Sequence, residues 1–257
     1  MTVGHNERIL DQFTRQAVPF ATTAAIRDQQ LLERIVQMAG AGADDTVLDV
    51  ACGPGLLTCA FARVSRHATG IDLVPAMLDQ ARKEQEGQGL SNLTWRQGDV
   101  MRLPYDDGQF SVVASRFAFH HFLEPLVVLK EMRRVCRSGG RVVVADGIPD
   151  ARKAAAFNAM EKLRDPSHAR SLPIEEHQAM FAEVGLGSPR IERGRLEGEL
   201  EDLLERSFPE VGDADRVRRI FVDSLVDDSI DMGARRQDGR ILYGFPIAIF
   251  VAQVPGS

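Results

Sequence analysis

The stretch TVLDVACGPG, residues 46–55, constrains this chain more than any other. Its first half is short and apolar, which reads as a buried strand. Its second half carries Gly53 and Gly55, a glycine turn that stops the strand and opens a helix over 56–65. Glycine lets the backbone turn tightly and approach a ligand closely, and the first turn of the helix behind it offers unpaired N–H groups.

The same unit recurs. Apolar segments at 67–72, 92–97, 110–115 and 141–146 read as strands, with helices from Pro75 through AMLDQARKEQEG and over 124–137. Helices are expected at 5–18 and 24–39 before the first strand, the second with Leu31, Leu32, Ile35, Val36 and Met38 near one face. Past residue 150 helices are expected at 151–164, 174–184, 197–207 and 213–230, and strands at 188–194 and in the apolar close LYGFPIAIFVAQV. Strands that alternate with helices predict a parallel sheet covered on both faces, here of seven strands. Ligands of such sheets bind outside the carboxyl ends of the strands, so the residues just after each strand carry the information.

Those residues are acidic. Asp49 lies inside the first strand, where a carboxylate repels a pyrophosphate but suits a cation such as an amino group. The dinucleotide pattern G-x-G-x-x-G fails, because Thr58 stands at its third glycine. Asp72 ends the second strand, the place of an acid that takes ribose hydroxyls; the alternative is a helix-start acid ahead of Pro75, worth about 0.3–1 kcal/mol. Asp99 follows the third strand, where an adenine amino group needs an acceptor, with Val100 beside it to pack on the ring.

Composition narrows the rest. A chain of 257 residues with 44% hydrophobic and 26% charged residues has globular make-up. The net charge of −6 and scattered basic residues disfavour nucleic acid as the main partner. No apolar run reaches membrane-spanning length, the first residues lack a signal-peptide core, and three cysteines, Cys52, Cys59 and Cys136, form neither a disulfide framework nor a zinc pattern. A cytoplasmic protein without a membrane partner or a metal site is expected.

With these residues in place, the chain resembles the class I S-adenosylmethionine-dependent methyltransferases, in the subgroup typified by ubiquinone and menaquinone biosynthesis. VLDVACGPG, GIDLVPAML, WRQGDVMRLPYDDGQFSVVASRFAFHHF and LKEMRRVCRSGGRVVVAD carry the resemblance in the family's order, over roughly 45–147. It implies a Rossmann-like α/β fold, S-adenosylmethionine as cofactor with S-adenosylhomocysteine as product, and a small-molecule methyl acceptor. By resemblance Asp49, Ala51, Gly53 and Gly55 hold the methionine portion; Asp72, Leu73 and Met77 the ribose; Gly98, Asp99 and Val100 the adenine; and Ser115 and Arg116 line the methionine side facing the acceptor. Ser111, in place of the usual acid of F-D-x-V, and Ser138, in place of proline in P-G-G, depart from the pattern at structural positions.

Methyl transfer needs alignment more than a base. Alignment supplies about 7–11 kcal/mol, a general base about 10²–10⁴-fold in rate. His120 and His121, just past the fourth strand, and His168 in DPSHARSLP are the candidate proton acceptors; a scaffold role is the other reading of the pair. His5 and His67 are expected at the surface, and Tyr105 and Tyr243 in aromatic packing.

The resemblance implies an N-terminal helical lid (1–40) over the cofactor, with Phe13, Arg15 and Phe20 as its candidates and core anchoring as the other reading of the two phenylalanines; a core (41–195), a helical cap inserted before the last strand (196–240), and the final strand and tail (241–257) complete the expected organisation. The cap is read as an acceptor-side cover or a homodimer contact. A tRNA or protein methyltransferase, and a non-catalytic cofactor-binding regulator, are the competing functions.

Overall fold

The computed structural model describes residues 3–23 and 26–256. The first two residues of the helix expected at 24–39 lie outside the described residues.

Strands β1 (Thr46–Val50), β2 (His67–Asp72), β3 (Leu93–Gln97), β4 (Phe110–Arg116) and β5 (Cys136–Gly147) pair in parallel. Helices α3 (Leu56–Ala62), α4 (Pro75–Gly87) and α5 (Pro125–Val135) connect them. Two helices precede the sheet: α1 (Val3–Thr22) and α2 (Gln29–Ala39). Asp28 caps α2 through the Leu31 amide, and Gly40 closes it at φ 59°. Past β5 come α6 (Ala154–Arg164), α7 (Ile174–Glu183), β6 (Arg190–Glu199), α8 (Leu200–Ser207), α9 (Asp213–Asp227), β7 (Arg235–Gln237) and β8 (Arg240–Gln253).

The sheet order is β3-β2-β1-β4-β5-β8-β6, the expected seven strands, and the short β7 hairpins onto β8 as an eighth. Only β8 runs against its neighbours β5, β6 and β7. It is longer than β5 can cover: Gly147 pairs with Ile247, and Pro246 is the first residue beyond that ladder. The Pro246 carbonyl still accepts from the Ile148 amide at 2.9 Å, but its missing N–H gives no return bond, so the pairing stops there. Strand β6 reaches Glu199, five residues past the expected end, because β8 offers it a partner all the way to Leu242.

Apolar side chains fill both faces of the sheet. Leu48, Val113, Leu129, Met132 and Phe250 pack on one side; Val47, Ile35, Phe61, Val112 and Ile249 pack on the other. A third cluster lies outside the sheet, where Phe157 and Met160 of α6 meet Leu203, Leu204, Val217, Phe221 and Met232. Helix α6 thus shares its apolar face with α8 and α9, which follow it by some forty residues in the sequence. Burying Phe157 and Phe221 alone is worth roughly 1.5–3 kcal/mol each. A fourth, small cluster of Ile9, Ala17, Val74 and Met77 fixes α1 to α4. Among the described residues no helix is long and apolar enough to cross a membrane.

Candidate active site

The carboxyl ends of β1, β2 and β3, the 3₁₀ turn Phe119–His121 after β4, and α1 surround a cavity of about 100 Å³ that opens to solvent. Asp49, Ala51, Gly53, Asp72, Leu73, Met77, Asp99, Val100 and Arg116 lie on its wall, as does His121. Gly55, Gly98 and Ser115 do not. A β-carbon on Gly55 would come within 2.5 Å of the Trp95 ring and 2.8 Å of Ala81, so this glycine makes room for the tryptophan. Gly98 abuts Ile71, and Ser115 Oγ donates to the Val50 carbonyl at 2.8 Å, tying β4 to β1.

Burial sets the character of the acids. Asp49 is enclosed within β1, and desolvation pushes its carboxyl up to about 7, although Thr58 Oγ1 donates to Oδ2 at 2.6 Å. Its Oδ1 is buried with no partner. Thr58, the residue that breaks the dinucleotide pattern, is thus the one that orients Asp49. Asp72 is also pushed up by burial, opposed by backbone bonds: Oδ2 accepts from the Gly53 amide at 2.8 Å and Oδ1 from the Val74 amide at 2.9 Å. The acid that ends β2 therefore pins the glycine turn that ends β1. Asp99 Oδ1 accepts from the Met101 amide at 2.9 Å, and the residue faces the pocket.

Arg116 stands across from Asp49. Burial pulls its guanidinium down to about 10 against the attraction of Asp49 and Asp28, and Nη1 donates to the Ile26 carbonyl at 3.0 Å. Ala51 and Phe117, at the ends of β1 and β4, both adopt positive φ, 55° and 54°. Strained backbone of this kind costs about 1–3 kcal/mol per residue and gathers at ligand sites; both residues line the pocket.

Of the histidines, His121 alone borders the pocket. Burial, reinforced by His120, lowers its ring well below the usual histidine value, which favours the neutral form. His120 lies behind it: Nδ1–H donates to Asp146 Oδ1 at 2.5 Å and its amide to Oδ2 at 3.0 Å. Burial disfavours the charged His120 ring, but the Asp146 carboxylate outweighs this and raises it; Asp146 is held low in return. His168 donates from Nε2 to Asn158 Oδ1 at 2.7 Å, and burial lowers it. The structure thus separates the three candidates. His5 is a correction to the sequence reading: it is buried, and Nε2–H donates to the His121 carbonyl at 2.8 Å. His177 stacks on Phe250. Tyr105 packs edge-on against Phe110 and Tyr243 against Phe221, as expected.

Sequence reasoning missed several neighbours. Ile9, Ile26, Cys52, Pro54, Leu57, Val74, Phe117, Ala118 and Phe122 complete the wall. Asp146 stands near the carboxyl end of β5, and the rule that flagged the other strand ends would have flagged it too. Phe13 and Phe20 of α1 face the pocket, whereas Arg15 is exposed and pairs with Asp11 on its own helix. Among the described residues, no three His, Cys, Asp or Glu side chains converge as a metal site.

Residues 48–144 match the family model described as a methyltransferase domain. An uncharacterised methyltransferase of Bacillus subtilis is 28% identical over 211 residues, 81% of this chain and 82% of that one. A ubiquinone/menaquinone biosynthesis C-methyltransferase of Bdellovibrio bacteriovorus is 37% identical over 116 residues, and the match spans 44% of this chain and 49% of that one. The crystal structure of a candidate methyltransferase of Bacillus halodurans superposes with a TM-score of 0.79 at 27% identity, covering 87% of this chain and 98% of that one. The protein is an S-adenosylmethionine-dependent methyltransferase with a Rossmann-like core.

Proposed function

We propose that the pocket binds S-adenosylmethionine along its acidic wall and transfers the methyl group, by in-line displacement, to a small, largely apolar acceptor held under α1. The observation that carries this is the make-up of one pocket: Asp49, Asp72 and Asp99 follow the ends of β1, β2 and β3, and Ile9 and Phe13 of α1 with Ala118 and Phe122 past β4 supply apolar wall.

The cofactor fits the residues present. The unpartnered, buried Oδ1 of Asp49 calls for a cation, and the ammonium of the methionine portion is one. Arg116 across the pocket would take the carboxylate at the same end. Asp72, with each oxygen already holding one amide, keeps lone pairs for a ribose diol, with Leu73 and Met77 beside it. Asp99 and Val100 would take the adenine. Ala51 and Gly53 carry the turn through positive φ, 55° and 53°, with little side chain to keep a ligand off the backbone. When bound, the cofactor supplies an activated methyl group; the protein's share is to align the acceptor and exclude water, worth about 7–11 kcal/mol. A neutral His121, rather than a charged one, at the acceptor wall fits that role. His120, paired to Asp146, and His168, paired to Asn158, hold the floor under it.

The lid (1–40), core (41–195), cap (196–240) and closing strand (241–257) follow from this reading, with the addition of α6 to the cap. Three buried free cysteines support a reducing, cytoplasmic setting. The quinone-pathway name of the Bdellovibrio relative supports a small molecule as acceptor.

The test is calorimetric titration with S-adenosylhomocysteine, followed by incubation with S-adenosylmethionine and an acceptor panel. Binding together with the mass gain of one methyl for one hydrogen on a small molecule is expected. Methylation of bulk tRNA or protein in place of small molecules would overturn the acceptor class.

A further inference from the structure

Asp165 is a fully buried carboxylate that takes no part in the pocket, and a buried charge is costly unless bonded. It follows α6 in the sequence Asp165-Pro166-Ser167-His168. Its Oδ1 accepts from the Ser167 amide at 2.9 Å and from Ser167 Oγ at 2.6 Å. Its Oδ2 accepts from Gln16 Nε2 of α1 at 3.2 Å, and Arg164 Nη1 stands 3.9 Å away. These bonds shape a tight turn that aims two oxygens of Ser167 at one atom: the carbonyl lies 3.1 Å and Oγ 3.2 Å from His121 Nδ1.

Both oxygens can only accept there. The carbonyl has no proton, and the hydroxyl proton is already given to Asp165. His121 Nδ1 must therefore carry the hydrogen, and Nε2 keeps its lone pair. Helix α1 holds the same residue from the other side. His5 donates to its carbonyl, and the Phe13 ring meets the imidazole edge-on at 4.8 Å between centroids. Two further rings stand beside it, His120 at 4.2 Å and His168 at 6.4 Å between centroids.

The geometry points to Asp165 as a positioning residue for His121: through the Ser167 turn it fixes the Nδ1–H tautomer, so that Nε2 accepts a hydrogen bond from the methyl acceptor. The inference rests on the methyltransferase reading of the pocket and narrows the substrate class. Ile9, Phe13, Ala118 and Phe122 are apolar, and His121 offers an acceptor, not a charge. The substrate is an uncharged, apolar molecule with an O–H or N–H donor at the atom to be methylated. Its X–H points at Nε2, which leaves a lone pair of the same atom free to face the methyl group.

The test uses the full chain with histidine labelled by nitrogen-15, saturated with S-adenosylhomocysteine, and nitrogen NMR. His121 is assigned by its loss in His121→Asn. The wild type is expected to show His121 as Nδ1–H with an unprotonated Nε2. Phenol, an apolar O–H donor, should shift Nε2; anisole, the same ring without the donor, should not. Asp165→Ala should mix the two tautomers, and Asp165→Asn, which keeps the accepting oxygen, should restore Nδ1–H. Binding of S-adenosylhomocysteine should be unchanged in both. A wild-type Nε2–H tautomer, an Asp165→Ala spectrum like that of the wild type, or equal responses to phenol and anisole would overturn the inference. If Asp165→Ala does not fold, the wild-type tautomer and the two ring probes decide it. Failure of the wild type to bind S-adenosylhomocysteine is read separately by calorimetry and overturns the pocket assignment instead.

Discussion

Asp49→Asn should make the unliganded protein more stable and a worse cofactor binder at once. Burial pushes the Asp49 carboxyl up to about 7, from 3.8 in an unfolded chain. The folded state therefore holds this proton where the unfolded state has lost it, and stability falls as pH rises through that window. Each pKa unit is worth about 1.4 kcal/mol. Between pH 5 and pH 8 the titration accumulates to roughly 2–3 kcal/mol, levelling off above 7. Asparagine cannot ionise, keeps an oxygen for Thr58, and escapes the loss. Urea unfolding of the wild type and of Asp49→Asn, without ligand, at pH 5 and pH 8 reads the difference directly. The variant's advantage should be larger by about 2–3 kcal/mol at pH 8. An advantage that does not change with pH would refute the burial argument. Undiminished S-adenosylhomocysteine affinity in the variant would refute the proposed ammonium contact.

Three further outcomes follow from the same geometry. Asp72→Ala strands the Gly53 and Val74 amides as well as removing the ribose acceptor, so cofactor affinity should drop by one to two orders of magnitude, about 1–3 kcal/mol, by calorimetry. Gly55→Ala forces a methyl group into Trp95 at a φ of 78° and should lower stability by about 1–3 kcal/mol; an unchanged melting temperature would contradict the packing role. His120→Ala leaves Asp146 buried without its partner, at a cost of about 3–5 kcal/mol. His120 is raised, so its contribution is complete below the unfolded histidine value near 6.5 and fades as pH rises through the folded one; Asp146 is lowered, so its contribution is complete above the unfolded value near 4 and fades on acidification. The loss on His120→Ala should thus be greatest between about pH 4 and 6.5 and smaller at pH 9, measured by denaturant unfolding.

The strand ends were legible because each couples two local signals, an apolar run and the residue that stops it. β2 matches its expected span, α4 starts at the expected Pro75, and Asp49, Asp72 and Asp99 all reach one pocket. Long-range placement was not legible. Gly55 looked like a ligand glycine because a glycine next to a helix start serves either a ligand or a packed ring, and only the fold shows that Trp95, forty residues on, occupies the space. His5 sits in a polar helix segment and reads as exposed; its partner is a backbone carbonyl 116 residues away, which no local pattern encodes. The packing of α6 against α8 and α9 was hidden for the same reason, since an amphipathic helix shows that it buries a face but not against what. Asp165 reads as a turn acid before proline, and its bond to Gln16 appears only when α1 lies across the sheet edge.

The central claim, that the acidic edge of the sheet holds S-adenosylmethionine, is tested most directly by titrating the wild-type protein with S-adenosylhomocysteine between pH 6 and pH 8. With the Asp49 carboxyl near 7 in the free protein, the ionised fraction rises about tenfold over that range. Affinity should rise about tenfold with it, with a proton released on binding below pH 7. Absence of binding, or an affinity indifferent to pH, would contradict the account.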